Sequence, residues 1–173
     1  MSKLIEFYSG KEKDNEGRHF SEILKFNHFK LEKDHKFIQW LFPLKEESDF
    51  NKEAPLLTEE DIERFKSSNK LKENLDKATA LMLHFYGLNI EENSEIVEIE
   101  IRRGKNFPIA KENWVKKHNH NHRRIRRILK SLTLLGKERK AEALLRVLKN
   151  IAKEEGKINE ETVSFWDTAV KEK

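Results

Sequence analysis

A mainly α-helical fold, arranged as one compact multi-helix domain over residues 1–173 and admitting one small β-hairpin near 96–103, is what the sequence predicts. Three observations point there. Only three prolines and six glycines punctuate the chain, too few turn signals for a many-stranded sheet. Leu71, Leu75, Ala78, Met82 and Phe85 follow at spacings of 4, 3, 4 and 3, the stripe of a helix with one buried face. The stretch from Leu31 to Phe42 gathers Phe37, Ile38, Trp40, Leu41 and Phe42 in a chain that is 38% charged. Read as one helix it is apolar nearly all round, and such helices are buried.

Taken in order, Phe7 and Tyr8 precede a turn marked by Gly10 and Gly17, and a helix begins near Phe20. Asn27 and His28 interrupt before the Leu31–Phe42 helix, which stops at Pro43. A polar loop follows to Leu57, then Thr58 before Glu59, Glu60 and Asp61 reads as an N-cap for a short helix carrying Ile62 and Phe65. Ser68 opens the long striped helix, and Gly87 terminates it. Val97, Ile99 and Ile101 alternate with Glu98, Glu100 and Arg102, the period of a strand. Gly104 and Pro108 bound an irregular segment leading to Trp114. From His120 to Leu135 the apolar face is Ile125, Ile128, Leu129, Leu132 and Leu135, with Gly136 as the stop. Two more helices close the chain, one from Ala141 to Ile151 before Gly156, the other capped by Asn159 and carrying Val163, Trp166 and Ala169.

Cysteine is absent, which excludes disulfides and thiolate metal sites and fits a reducing compartment. No apolar run approaches the roughly 18 residues that span a bilayer, and the N-terminus lacks a signal-peptide core. A soluble, intracellular and cytoplasmic protein is expected. The net charge of +4 conceals an asymmetry. Between Arg102 and Lys140, 14 Lys and Arg face only Glu112 and Glu138, so this segment carries +12 and the remainder −8. Such a segment either meets an anionic partner or joins acidic parts of its own chain.

Three constellations could carry chemistry. Glu32, His35 and Gln39 form a polar stripe on the Leu31–Phe42 helix, where burial would depress the His35 pKa unless Glu32 compensates. With Trp40 and Trp114 nearby, this is the candidate peptide- or ligand-binding groove; a hydrogen-bonded core histidine is the competing reading. Second, Arg123, Arg126, Arg127 and Lys130, with Arg124 beside them, gather opposite the apolar face of the 120–135 helix. They could track a phosphate backbone, or be the solvated face of an amphipathic helix. Third, His118, His120 and His122 invite a metal reading. They would converge only on an extended backbone, and Asn119 or Asn121 as an N-cap accounts for the cluster more simply. There is no glycine-rich phosphate loop, nucleophile elbow or thiol, and no spacing that marks an acid/base pair. Enzymatic activity and cofactors are therefore not expected.

Several of these segments resemble, in order, the opioid growth factor receptor conserved domain. They are FY near the start, GRHFSEIL from Gly17, LEKDHKFIQWLFPLKEESDFN from Leu31 to Asn51, Ala54–Pro55, LMLHFYG from Leu81 to Gly87, and the HN…RILKSL…LG segment ending at Gly136. In the last, Arg123 stands where leucine is usual and Arg126 where threonine is usual. The resemblance runs from Phe7 to about Trp166. It implies a receptor-like helical domain with a peptide or protein partner. Animal members are described as receptors for Met-enkephalin, associated with the nuclear envelope, and carry further segments; the domain alone is expected here. No catalytic or ligand-contacting residues come with the resemblance. The expected function is thus a non-catalytic peptide- or protein-binding module, the alternative a nucleic-acid-associated protein acting through the basic helix.

Overall fold

The computed structural model describes residues 1–93 and 98–172. Among these are ten α-helices and one two-stranded antiparallel hairpin, so the mainly helical expectation holds. Contacts group the chain into two units, residues 1–81 and residue 82 onward. No helix of the described residues is long and apolar enough to cross a membrane.

The first unit is an aromatic core wrapped by short helices. α1 (Lys3–Tyr8) begins where the Ser2 side chain accepts the Ile5 N–H, and it buries Leu4, Ile5, Phe7 and Tyr8. α2 (Phe20–Ile23) and α3 (His28–Lys33) follow, the latter capped by Asn27 through the Lys30 N–H. The Phe7 ring meets Phe20 and Trp40 with centroids 5.8 and 5.0 Å apart, and Tyr8 meets Phe65 edge to face at 4.8 Å. Such pairs add about 0.5–1.5 kcal/mol each beyond the area they bury. The Tyr8 hydroxyl donates to the Leu41 carbonyl at 2.6 Å, and Asn74 Nδ2 donates to the Tyr8 carbonyl at 2.7 Å. Burial, and then the charge of Asp76, push the Tyr8 phenol well above its ordinary pKa.

The single helix expected from Leu31 to Phe42 is in fact two, α3 and α4 (Ile38–Leu41). Asp34 makes the break. Its Oδ1 accepts the Lys36 N–H at 2.8 Å, an Asx turn that competes with the helical bond. Its other oxygen pairs with Arg18 and, at 3.3 Å, with Lys30. Thr58 and Asp61 form a reciprocal capping box for α5 (Glu59–Ser67), and Asp61 also accepts from the Ser2 hydroxyl at 2.6 Å. α6 (Asn69–Phe85) starts where Ser68 Oγ accepts the Leu71 N–H. Its predicted stripe of Leu71, Leu75, Ala78, Met82 and Phe85 is buried throughout.

In the second unit, β1 (Leu88–Asn93) pairs with β2 (Glu98–Arg103) in the register Leu88↔Arg103, Ile90↔Ile101. Ile101 is buried and its neighbours Glu100 and Arg102 exposed, as the alternation predicted; Ile96 and Val97 lie outside the described residues. The segment expected to be irregular holds α7 (Phe107–Ala110), started by Pro108, and a 3-10 turn at Lys111–Asn113. At Gly87, φ is +83° and an added Cβ would stand 2.7 Å from the Phe107 Cα, so this turn admits only glycine. α8 (Asn121–Leu134), α9 (Glu138–Glu155) and α10 (Glu160–Lys171) pack on one another, and β2 lies against α9. Every apolar residue predicted for the 120–135 helix is buried.

Candidate functional site

The break after α3 decides the fate of the first constellation. His35 does not sit on a buried helical face; it lies in the turn and is exposed, and Glu32 is half-buried. Without a continuous helix, Glu32, His35 and Gln39 do not form a stripe. The His35 ring instead stands 6.3 Å from the ring of Phe50, tilted by 30°, and Phe50 is 53% exposed.

Beneath this pair lies Gln39, buried to 4% exposure. Its Nε2 donates to the His35 carbonyl at 3.0 Å and to Ser48 Oγ at 3.4 Å. Ser48 Oγ in turn accepts the Phe50 N–H at 3.2 Å. One buried amide therefore fastens both loops that carry the exposed rings. Gln39 Oε1 is buried and has no hydrogen-bond partner, a standing cost for a carbonyl cut off from water. Asn51 adds a second tie, donating to the Lys36 carbonyl at 3.1 Å and to Asn15 Oδ1 at 3.0 Å. Trp40 Nε1 donates to the same Asn15 oxygen at 2.6 Å. Trp40 is thus a core residue, 3% exposed, and lines no open groove.

Trp114 belongs to the second unit and is fully buried. Its Nε1 donates to the Tyr86 carbonyl at 3.0 Å. The Tyr86 hydroxyl donates to Asn121 Oδ1 at 3.2 Å, and Asn121 Nδ2 to the Asn113 carbonyl at 3.2 Å. His122 Nε2 meets the Trp114 carbonyl at 2.7 Å, which sets the proton on that nitrogen. His122 is buried, and this burial lowers its pKa; the Trp114 carbonyl opposes the shift, while His118 and His120 reinforce it. His118 and His120 are exposed whereas His122 is buried, so the three do not share one environment. Among the described residues no group of three or more His, Asp or Glu side chains could hold a metal ion. Neither asparagine is the expected N-cap: that position is His120, which makes no side-chain capping bond, while Asn119 Oδ1 accepts the Asn121 N–H at 2.9 Å in a local turn just before the helix.

The basic helix also departs from its expected form. Arg123 alone of the five cations is exposed. Arg124 is 6% exposed, Arg126 and Arg127 are half-buried, and all three are engaged within the chain. Lys130 approaches Glu172 at 4.0 Å. Elsewhere in the +12 segment, Arg103 pairs with Glu154 and Lys111 with Glu155, each at 2.7 Å, and Lys140 pairs with Glu92 at 3.0 Å. Much of the charge asymmetry is therefore answered by acidic residues of the chain itself.

Sequence reasoning passed over Ser48, Phe50, Asn51 and Asn15. A lone phenylalanine between serine and asparagine in a polar loop, S-D-F-N, was the available signal, because Ser and Asn bond locally to loop backbone.

A family profile described as the opioid growth factor receptor conserved region matches residues 2–173. The opioid growth factor receptor of Mus musculus is 43% identical over 122 residues, 70% of this chain and 18% of that protein. The Homo sapiens receptor is 42% identical over 114 residues, 65% of this chain and 16% of the receptor. Opioid growth factor receptor-like protein 1 of Xenopus tropicalis is 36% identical over 126 residues, 71% of this chain and 23% of its own length. The chain thus spans about a fifth of the length of these relatives. No solved structure matches. With the profile covering all but the first residue, the chain belongs to the opioid growth factor receptor conserved-region family.

Proposed function

We propose that this chain is a non-catalytic, receptor-like module that binds a peptide across the His35–Phe50 surface. The supporting observation is a half-exposed Phe50 ring beside an exposed His35, both anchored from below by the buried Gln39 amide. An aromatic platform that is already ordered costs little entropy to use, and preorganisation of this kind favours binding. Aromatic side chains supply much of the contact energy at recognition surfaces. Gln39 Oε1 is an acceptor awaiting a donor, and a peptide N–H or a bridging water drawn in by a small shift of the Phe50 loop would satisfy it. The relatives' names, which speak of an opioid growth factor, agree with a peptide as occupant.

The α8 stripe as a whole favours no second reading, since Arg124 is buried and it, Arg126, Arg127 and Lys130 are engaged within the chain. The test is a titration of isotope-labelled chain with Met-enkephalin, followed by amide chemical shifts. Shifts concentrated at His35, Gln39, Ser48 and Phe50, with about tenfold weaker binding for Phe50→Ala, are expected. Undiminished binding by Phe50→Ala would move the site elsewhere. No shift up to about 1 mM peptide, the edge of meaningful affinity, would end the opioid-peptide reading for this chain.

A further inference from the structure

Three cations of the basic segment, in the loop before α8 and in its first turn, form no ion pair among the described residues. From residue 113 to 137 there is no Asp or Glu. Just before α8, Lys116, Lys117, His118 and His120 are all exposed, and Arg123, in the first turn of the helix, is exposed with them. Lys116, Lys117 and Arg123 form no ion pair among the described residues, in contrast to Lys111, Lys130 and Lys140 of the same segment. The backbone that carries them is firmly held. Trp114 and Val115 are buried on one side of the patch, and Asn121 and His122 on the other. The hydrogen bonds from Asn121 to Asn113 and from His122 to Trp114 close the loop between them at 3.2 and 2.7 Å. Unpaired cations are therefore displayed on a fixed loop and not on a mobile arm.

We infer that Lys116, Lys117, His118 and Arg123 form an anion-binding surface that takes the phosphate backbone of a nucleic acid. The lysines and the arginine supply only donors and positive charge, the chemistry that phosphate oxygens accept. No apolar side chain is exposed between residues 114 and 123, so the patch lacks the inserting residues by which a basic segment holds a membrane surface. Nor is there an exposed Phe, Tyr or Trp in this stretch to stack on a base. The surface therefore reads phosphate and not sequence. Of its residues only Arg123 belongs to the helical stripe anticipated for such a role; Lys116, Lys117 and His118 precede the helix. This inference is independent of the peptide surface in the first unit.

The experiment is fluorescence anisotropy of a labelled, mixed-sequence single strand of about 20 nucleotides, titrated with the whole chain at about 50 and 200 mM salt. Three backbone contacts correspond to a salt slope of about −2, or weakening by somewhat more than tenfold over that range. Lys116→Ala/Lys117→Ala/Arg123→Ala should lose at least tenfold in affinity at low salt and most of the slope. The control is Lys11→Ala/Lys13→Ala/Lys25→Ala, which removes equal charge from exposed lysines of the first unit and should bind as the parent does. Circular dichroism of both variants confirms that they fold. Equal losses in the two variants would reduce the effect to net charge and overturn the proposal. So would absence of binding at low salt, or equal competition by a polyglutamate peptide, which would assign the patch to an acidic protein segment.

Discussion

Trp166 Nε1 donates to the His122 carbonyl at 3.0 Å, and the two rings meet edge to face with centroids 5.6 Å apart. The indole thus holds the histidine by its backbone and shields its ring. His122 has its pKa lowered from the ordinary value near 6.5, chiefly by that burial. The unfolded chain therefore takes up this proton near pH 6.5, the folded chain only at lower pH. Unfolding consumes a proton across that window, so stability is complete above it and falls as the pH drops through it. Melting temperature should decline from pH 7 towards 5, and His122→Gln, which cannot titrate, should flatten the decline. An unaltered slope in the variant would assign the acid sensitivity to other groups.

Asp34 sets a second acid limit. Burial alone would raise its pKa, but the Lys36 N–H and the charges of Arg18 and Lys30 outweigh it and hold the carboxyl below its usual 3.8. The sign is that of a depressed carboxylate: its contribution is present above about pH 4 and lost as the pH falls further. Asp34→Asn should cost about 1 kcal/mol in urea unfolding at neutral pH, a figure reduced for partial solvent screening. The same variant should lose part of the wild type's destabilisation below pH 4.

Two glycines with the same φ separate conformational strain from collision. Gly10 and Gly87 both have φ +83°, but a Cβ at Gly10 meets nothing within 4 Å, whereas at Gly87 it strikes the Phe107 Cα and the Ala110 Cβ at 2.7 and 2.9 Å. Gly10→Ala should cost about 1 kcal/mol, the price of a left-handed residue. Gly87→Ala should exceed about 3 kcal/mol, because backbone must move as well. Equal chemical-denaturation midpoints for the two variants would contradict this.

All three tryptophans are buried and each indole N–H is bonded: Trp40 to Asn15, Trp114 to Tyr86, Trp166 to His122. Native fluorescence should be blue-shifted and poorly quenched by acrylamide, with both properties lost together on unfolding. A readily quenched native fraction would reopen the expectation of an accessible groove at Trp40 or Trp114.

Long amphipathic periods made much of the fold legible. α6, α8 and α9 each bury the stripe read from spacing alone, because a helix of several turns repeats its signal. Short-range polar competition hid the rest. Asp34 splits an apolar run that looks continuous, and the six-residue α1 is too brief to show a period. The proposed peptide surface is half visible in the sequence: His35 and Gln39 stand out, but the Phe50 and Ser48 that complete it come from a loop without periodicity. In the basic helix, the charges were plain and their engagement was not. Glu172 lies far along the chain from Lys130, and Glu92 farther still from Lys140.

The tie between Tyr8 and Asn74 has a consequence during synthesis. The two residues are 66 positions apart, and Phe65 must also arrive before the Tyr8 ring is covered. At translation speeds of about 5–20 residues per second, the greasy segment around Leu4, Phe7 and Tyr8 emerges about 3–13 s before its cover exists. A ribosome-bound nascent chain in which α6 has not yet left the ribosome should therefore be a chaperone client, and its release from that dependence should coincide with the emergence of α6.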